Sequence, residues 1–396
     1  MVKKLNKKIK IVVAMSGGID SSVAAVLLKK AGFDVVGIFM KFWQSSDFAK
    51  GKENKNRYCS SESEKLARLT ANKIGISFYV INAEKEFKKK VVDYFLKEYK
   101  RGATPNPCVV CNKEIKFGLL IEKALALGAD FVATGHYARI SFESDLHSAT
   151  DFFPAVGSPL CLCGDKWTKA CKKSIASYSK NSLPRLFVAE DKEKDQSYFL
   201  WQLNQKQLKH VLFPLGNYTK PEVREIAKKF KLPTVKTIES QEICFVQNTT
   251  NDFLKKYLKL KQGDIVSVNG KILGKHQGLW FYTIGQRKGL NINQGPYYVV
   301  EKNFNNNTLI VSKDKKDLLK KEIIVRQVNW ISGKVRLPLS VKCKIRYKSE
   351  MADAVIRENK VGSVKVIFKK PQEPATRGQS AVFYKGREVL GGGVIE

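Results

Sequence analysis

The chain has 396 residues with 43% apolar content, enough for two or three domains with cores of their own. Its 71 Lys and Arg exceed 37 Asp and Glu by 34, and so large a positive excess points to a polyanionic partner, most simply nucleic acid. Eight cysteines in a chain this long, without a secretory pattern or an apolar run of transmembrane length, speak against a disulfide scaffold and a membrane partner and for a reducing, cytoplasmic setting.

Residues 9–15 form a short apolar, β-branched run that predicts a strand, followed by Ser16-Gly17-Gly18-Ile19-Asp20-Ser21 and a helix-like stretch over 23–28. Strand, small-residue turn and helix together make a phosphate cradle. Gly17 and Gly18 let the backbone approach an anion, Ser16, Ser21 and Ser22 bring hydroxyls, and the helix N-terminus brings unpaired N–H groups. No lysine follows the glycines, so this is not the loop that grips β- and γ-phosphates through Lys. A plain glycine turn closing a βα unit is the competing reading. Residues 35–40 and 78–81 predict buried strands, 62–74, 87–99 and 115–127 predict helices, and 131–134 predicts a strand ending in Gly135-His136. Strand–helix alternation implies an α/β domain with a parallel sheet, whose ligands sit at the carboxyl ends of the strands, where Ser16, Met40 and Gly135 fall.

In Thr104-Pro105-Asn106-Pro107-Cys108-Val109-Val110-Cys111-Asn112, the two prolines predict a non-helical approach and a helix starting near Asn112 or Lys113. Cys111 would then precede a helix N-terminus, its thiolate favoured by the dipole and by Lys113 and Lys116. Cys108 and Cys111 could also be half a zinc site or a redox pair, but a second pair of matching spacing is missing. The pattern degrades over about 141–190, read as an irregular loop insertion holding His147, Cys161, Cys163 and Cys171. Residues 211–262 are mostly helical and basic, with Pro221 opening a helix. Short strands from Ile265 onward, separated by turn residues, predict a β-barrel whose basic and aromatic faces suit RNA. The domain reading is 1–210 for the α/β domain, 211–275 for a small central linking domain and 276–396 for a C-terminal barrel.

Ser16–Ser21 resembles the PP-loop of N-type ATP pyrophosphatases. The resemblance extends through Pro105-Asn106-Pro107, Cys111-Asn112, Ile115-Lys116-Phe117, Ala133-Thr134-Gly135-His136-Tyr137, Lys194-Asp195-Gln196-Ser197-Tyr198 and Ile243-Cys244-Phe245. It continues in Gly274-Lys275-His276-Gln277-Gly278, Tyr282-Thr283-Ile284-Gly285-Gln286-Arg287 and Gly378-Gln379-Ser380. Taken in this order, the segments are similar to the tRNA-specific 2-thiouridylases (the MnmA family).

That resemblance implies ATP binding by Ala14, Met15, Ser16, Gly17, Gly18, Ile19, Asp20 and Ser21, with Met40 and Gly135 near the adenosine and Mg²⁺ on the triphosphate. It implies Cys111 as nucleophile, Cys244 as the persulfide carrier, and Asn106, Pro107 and Cys108 against the target base. His136, Lys194, Asp195, Gln196, Arg346, Tyr347 and Gln379 fall on tRNA-contact positions. The implied reaction adenylates O2 of the wobble uridine and transfers sulfur to the 2-position, fed by a persulfide-donor protein such as a cysteine desulfurase or a relay protein. Many members carry Asp where this chain has Cys108, so a thiol replaces a carboxylate there. This opens an alternative in which Cys108, Cys111 and Cys244 hold an iron–sulfur cluster. The rival functions are another PP-loop adenylating enzyme, which would not need the cysteines, and a non-catalytic RNA-binding protein with an inactive loop.

Overall fold

A computed structural model describes residues 8–44, 60–141, 183–237, 243–246, 248–293, 295–333, 335–373 and 375–396. Cys59, His147, Cys161, Cys163 and Cys171 lie outside the described residues. The chain divides into two compact units, one of Met1–Lys88, Cys108–Phe245 and Arg387–Val389, the other of Lys89–Pro107, Val246–Gly386 and Leu390–Glu396.

The first unit is built on β1 (Lys10–Ala14), α1 (Ile19–Lys30), β2 (Asp34–Lys41), α2 (Ser61–Ile74), β3 (Ser77–Asn82), β4 (Phe131–Ala133), β5 (Arg139–Ser141), β6 (Arg185–Phe187) and β7 (Val211–Leu212). Five of the strands form a parallel sheet in the order β3-β2-β1-β4-β7. β1 is central and apolar throughout its middle because both faces of a parallel sheet are covered. One face packs Ile11, Val13, Phe39 and Phe131 with Ala25 and Leu28 of α1 and Ala67 and Ala71 of α2. The other side of α1, through Val23, Val26 and Leu27, meets Val223, Ile226 and Ala227 of the Lys220–Lys229 helix. α1 is therefore buried around most of its circumference, and its sequence lacks a polar stripe. α2 begins on Ser60, whose hydroxyl accepts the Ser63 N–H at 3.1 Å, and ends on Gly75 in the left-handed region. The strand order reverses at β1, with β2 on one flank and β4 on the other, so the β1–β4 edge is the topological switch point where ligands of such sheets bind.

In the second unit, β8 (Gly263–Ser267), β9 (Ile272–His276), β10 (Tyr298–Asn303) and β11 (Thr308–Ser312) form a small sheet in the order β10-β11-β8-β9. β12 (Lys320–Trp330), β13 (Leu339–Lys344), β14 (Ala352–Glu358), β15 (Ser363–Gln372), β16 (Ser380–Lys385) and β17 (Glu388–Ile395) follow. They run β12-β15-β14-β13-β16-β17, and β17 pairs back onto β12, which closes a six-stranded barrel. Val325, Cys343, Ile356, Val366, Phe368 and Phe383 fill it, each from the inward phase of its strand. Closure brings β17 against β12 at Gly391, whose φ of 152° and the Asn329 carbonyl facing its α-carbon leave no room for a side chain. The strands from Ile265 onward, read from sequence as one barrel, thus divide between two sheets. Alternation gives each strand its inward face, but not which sheet that face belongs to.

Candidate active site

The turn after β1 is organised by its own hydroxyls. The Ser16 amide donates to Ser21 Oγ at 3.1 Å, and the two seryl oxygens lie 3.2 Å apart. Ser21 and Ser22 hydroxyls donate back to the Gly18 carbonyl at 3.1 and 2.9 Å, which ties the turn to the first coil of α1. Gly17 has φ 76°, and a side chain there would run into the Ser63 backbone, so the N-terminal turn of α2 lies against the loop. The N-termini of α1 and α2 therefore both adjoin this turn, and helix N-termini favour anions. Gly135, just beyond β4, sits so close to α1 that a β-carbon would fall 2.7 Å from the Ser21 nitrogen. Met40, at the carboxyl end of β2, is 8% exposed, and Met15 and Ile19 are buried while Ala14 is half-buried.

Asp20, in the first turn of α1, has one carboxylate oxygen that accepts from Tyr137 Oη at 2.9 Å and from Lys220 Nζ at 2.6 Å. Neither partner has a role at Asp20 in the sequence, where Tyr137 stands only as the end of the Ala133–Tyr137 motif. Thr219-Lys220-Pro221-Glu222 carries the signal of a helix start, and the capping box between Thr219 and Glu222 forms. Nothing local, however, says that this helix start returns to a loop 200 residues earlier. Asp20 is 31% exposed at its side chain, and its carboxylate is of the oxygen-donor type that a hard cation takes.

The cysteine segment departs from its predicted form. The helix begins at Pro107, not near Asn112, because proline at the first helical position forfeits an N–H that has no intrahelical acceptor anyway. Cys111 is therefore inside the helix, and Cys108, in its first turn, is the exposed thiol. After Cys111 the coil widens into a π-helical stretch, Asn112–Leu119, before tightening again over Leu120–Ala126. Gln207 Nε2 donates to the Lys113 and Phe117 carbonyls, both at 2.8 Å, and Asn112 Nδ2 donates to the Phe199 carbonyl at 3.0 Å, so the wide turn is braced from outside. Such turns concentrate at functional sites.

Cys111 is 6% exposed, and burial pushes its thiol up to about 11, the Cys108 sulfur adding to the rise and Lys116 opposing it. The expected stabilisation of its thiolate by a helix N-terminus is thus corrected. Desolvation outweighs Lys116, and the helix start lies a turn earlier. Cys108 is raised too, by desolvation and again against Lys116. The same Lys116 bears on His136, which burial keeps well below its usual range and therefore neutral. His136 Nδ1 lies 2.7 Å from Thr134 Oγ1, with its ring beside Phe117 and Phe213. Gly135-His136 thus adjoins the loop on one side and the Lys116–Cys111 segment on the other.

Cys244 is half-exposed in a turn whose next two residues, Phe245 and Val246, are buried, with Phe245 edge-on to Phe87 at 5.8 Å. Among the described residues no three His, Cys, Asp or Glu side chains gather as a metal site, Cys108, Cys111 and Cys244 included. Asp195 is buried and accepts from the Ala189 and Ser197 amides and the Ser197 hydroxyl, so it holds a turn. Gln196 is exchanged with the Tyr137 backbone in both directions, and the Lys194 amide donates to Asp191. In the second unit Asn106 is half-buried and Pro107 buried, and the Thr104 carbonyl just ahead of them accepts from Gln379 Nε2 at 2.8 Å. Arg346 is half-exposed, 3.6 Å from Glu373, and Tyr347 lies under the Lys344 ammonium. Among the described residues no helix is long and apolar enough to cross a membrane.

Three family profiles match in succession. "tRNA methyl transferase HUP domain" covers residues 9–248, "tRNA methyl transferase PRC-barrel domain" 251–313 and "Aminomethyltransferase beta-barrel domain" 320–395. The chain is 43% identical to the tRNA-specific 2-thiouridylase MnmA of Clostridioides difficile, over 99% of each chain. It is 41% identical to the protein of that name from Carboxydothermus hydrogenoformans, over 98% of this chain and 97% of that one. To MnmA 2 of Clostridium tetani it is 43% identical, over 98% and 99%.

Proposed function

The chain belongs to the family of tRNA-specific 2-thiouridylases, a tRNA-uridine 2-sulfurtransferase by that membership, and from it we propose the following use of this site. ATP binds on residues 14–21 with Met40 and Gly135 beside the adenosine, and the uracil O2 of the wobble uridine attacks the α-phosphorus. Pyrophosphate leaves, and the O2 carries AMP as a leaving group. Asp20 would hold a Mg²⁺ ion accompanying the triphosphate, which would offset phosphate charge. A persulfide-bearing donor protein loads Cys244. The terminal persulfide sulfur reaches C2 either as sulfide freed when Cys111 attacks the Cys244 sulfur, or by attacking C2 itself before Cys111 displaces Cys244 from it. In both routes a Cys111–Cys244 disulfide takes up the two electrons' worth of oxidation, and AMP leaves C2 as the sulfur bonds. Asn106, Pro107 and Cys108 face the base, and His136, Lys194, Asp195, Gln196, Arg346, Tyr347 and Gln379 contact the tRNA. The compartment is the cytoplasm, where a thiol and a persulfide persist.

One observation supports the reading most: Gly135-His136 abuts the phosphate loop at Asp20 and Ser21 while His136 shares the field of Lys116 with Cys111. The loop and the helix that carries Cys111 and Phe117 thus both border this dipeptide, an arrangement for which an amide-forming PP-loop enzyme would have no use. The test is thiolation of a tRNA transcript with a persulfide donor, read by nucleoside mass spectrometry and by the nucleotide products. AMP and pyrophosphate with 2-thiouridine are expected, with thiolation lost in Cys111→Ser and in Cys244→Ser. ADP as the primary product, or thiolation by either cysteine variant at the wild-type rate, would overturn it.

A further inference from the structure

Several stretches of the second unit converge on Thr104, two residues ahead of Asn106. The Thr104 N–H donates to the Arg377 carbonyl at 2.8 Å, and the Thr104 carbonyl accepts from Gln379 Nε2. Gly378, between those two residues, has φ 90° and lies so close that a β-carbon would fall 2.8 Å from Ala103 Cβ. Thr104 Oγ1 is 3.5 Å from Thr283 Oγ1, in a turn closed by the Thr283 N–H on Gln286 Oε1. The Phe304 ring, just past β10, occupies the space over Gly102 that a β-carbon would need. The 102–104 segment is thus gripped by the 283–286 turn, the end of β10 and the 376–379 turn.

This grip carries cations without a counter-charge. Lys302, on β10 two residues before Phe304, donates from Nζ to the Tyr282 carbonyl at 3.0 Å. Among the described residues that carbonyl is its hydrogen-bond partner, and no carboxylate pairs with it. The charge that bears on it is a second cation, Arg377; burial and this neighbour bring the lysine down to about 8. Arg377 is exposed and, among the described residues, has no carboxylate partner either. A half-buried ammonium facing a guanidinium with no anion between them is unfavourable in the free protein. A phosphate group reverses that sign, because both cations then make charge-assisted hydrogen bonds to it. The half-buried hydroxyls of Thr104 and Thr283 add neutral donors at the same place.

We propose that Lys302 and Arg377 form a clamp for one phosphate of the RNA backbone beside the target nucleotide, holding the strand while the uridine is presented to Asn106 and Pro107. Position assigns the phosphate to RNA: the clamp is tied through Thr104 to the segment that faces the base. Phosphate contacts fix the register of a nucleic acid without reading its sequence, and a base drawn out of its stack needs its backbone held. This rests on the reading of residues 106–108 as the base-facing segment.

The test is equilibrium binding of the full chain to tRNA carrying a single neutral methylphosphonate, placed in turn at each phosphate of the anticodon loop. Wild type, Lys302→Met and Arg377→Ala are compared. One position flanking the target uridine should weaken wild-type binding about 10-fold and have little further effect on Lys302→Met, which is weakened by a similar factor on unmodified tRNA. Each variant should also flatten the salt dependence by about one unit, with ATP affinity unaltered. A lysine that only braces the Tyr282 carbonyl would leave the methylphosphonate costing as much in the variant as in wild type, and that overturns the proposal. Arg377→Ala removes an exposed side chain and carries the same comparison if Lys302→Met does not fold. Weaker ATP binding in either variant would assign the cations to the nucleotide and overturn it as well. A flanking phosphate felt equally by wild type and both variants sinks the clamp alone. A phosphate remote from the target uridine, felt by wild type and not by Lys302→Met, sinks the base-facing reading of residues 106–108 and the clamp's place beside it.

Discussion

The fold holds Cys111, the proposed nucleophile, as a thiol. With its pKa moved from 9.0 to about 11, the thiolate fraction near neutral pH falls about 100-fold, two pH units, relative to the unfolded chain. Alkylation at pH 8 should follow that order. Cys108, exposed, reacts first, while Cys111 and the barrel-core Cys343 react at native rates far below those in denaturant. Peptide mass spectrometry over a time course checks this, and Cys111 reacting ahead of Cys108 would contradict the burial argument. The linkage has a definite sign. The folded state keeps a proton that the unfolded chain loses above pH 9, so this contribution to stability is complete below pH 9 and declines as pH climbs through 11. Tyr94 and Tyr99, raised to about 12 by burial, act in the same direction at higher pH. Cys108 is expected to be dispensable: Cys108→Ser protein free of iron should keep thiolation with a persulfide donor. Activity that requires iron together with all three cysteines would instead make Cys108 a ligand.

At the scale of elements, the phosphate loop depends on how close α2 comes to it. Gly17 and Gly75 share a left-handed conformation, with φ 76° and 65°, and differ in surroundings. Around Gly75 a β-carbon meets nothing within 4 Å, whereas at Gly17 it meets the Ser63 backbone. Gly75→Ala should therefore cost only the conformational penalty, about 1 kcal/mol in denaturant unfolding, with nucleotide turnover intact. Gly17→Ala adds displacement of the α2 N-terminus to a similar penalty, and should abolish pyrophosphate release. Equal pyrophosphate release by the two variants would mean that α2 plays no part in forming the loop. The widened coil after Cys111 is a second element whose form is imposed from outside, by Gln207 and Asn112 bonds to segments about 90 residues away.

At the scale of the molecule, the charge of +34 is the property most directly tied to tRNA. Affinity for tRNA should fall steeply with salt, with a log–log slope of roughly −0.7 to −0.9 for each phosphate neutralised. Arg346, half-exposed and loosely paired with Glu373, should contribute about one phosphate, so Arg346→Ala is expected to flatten the slope by about one unit. Filter binding across a salt series measures it, and an affinity indifferent to salt would leave the basic surface a solubilising one. The pair with Glu373 is too exposed to hold Arg346 back, since such pairs contribute little in water.

The chain by itself determined what is short in sequence range. The β1 run, the glycine–serine turn and the start of α1 form a phosphate loop because their residue types permit few alternatives. Strand–helix alternation forced a parallel sheet with that loop at a carboxyl end. The ordered motifs from Ser16 to Gln379 carried the family. The tertiary structure decided whatever depends on desolvation or on partners far along the chain. Proline restrictions predicted a helix start near Asn112, but a first-turn proline loses no bond, so the start is Pro107 and Cys111 is enclosed. The field at Cys111 then followed burial, not the local lysines, because removing water from a thiolate outweighs one nearby cation. Tyr137 and Lys220 reach Asp20 only because β4 lies beside β1 and the Lys220–Lys229 helix packs on α1, a juxtaposition that no local pattern encodes.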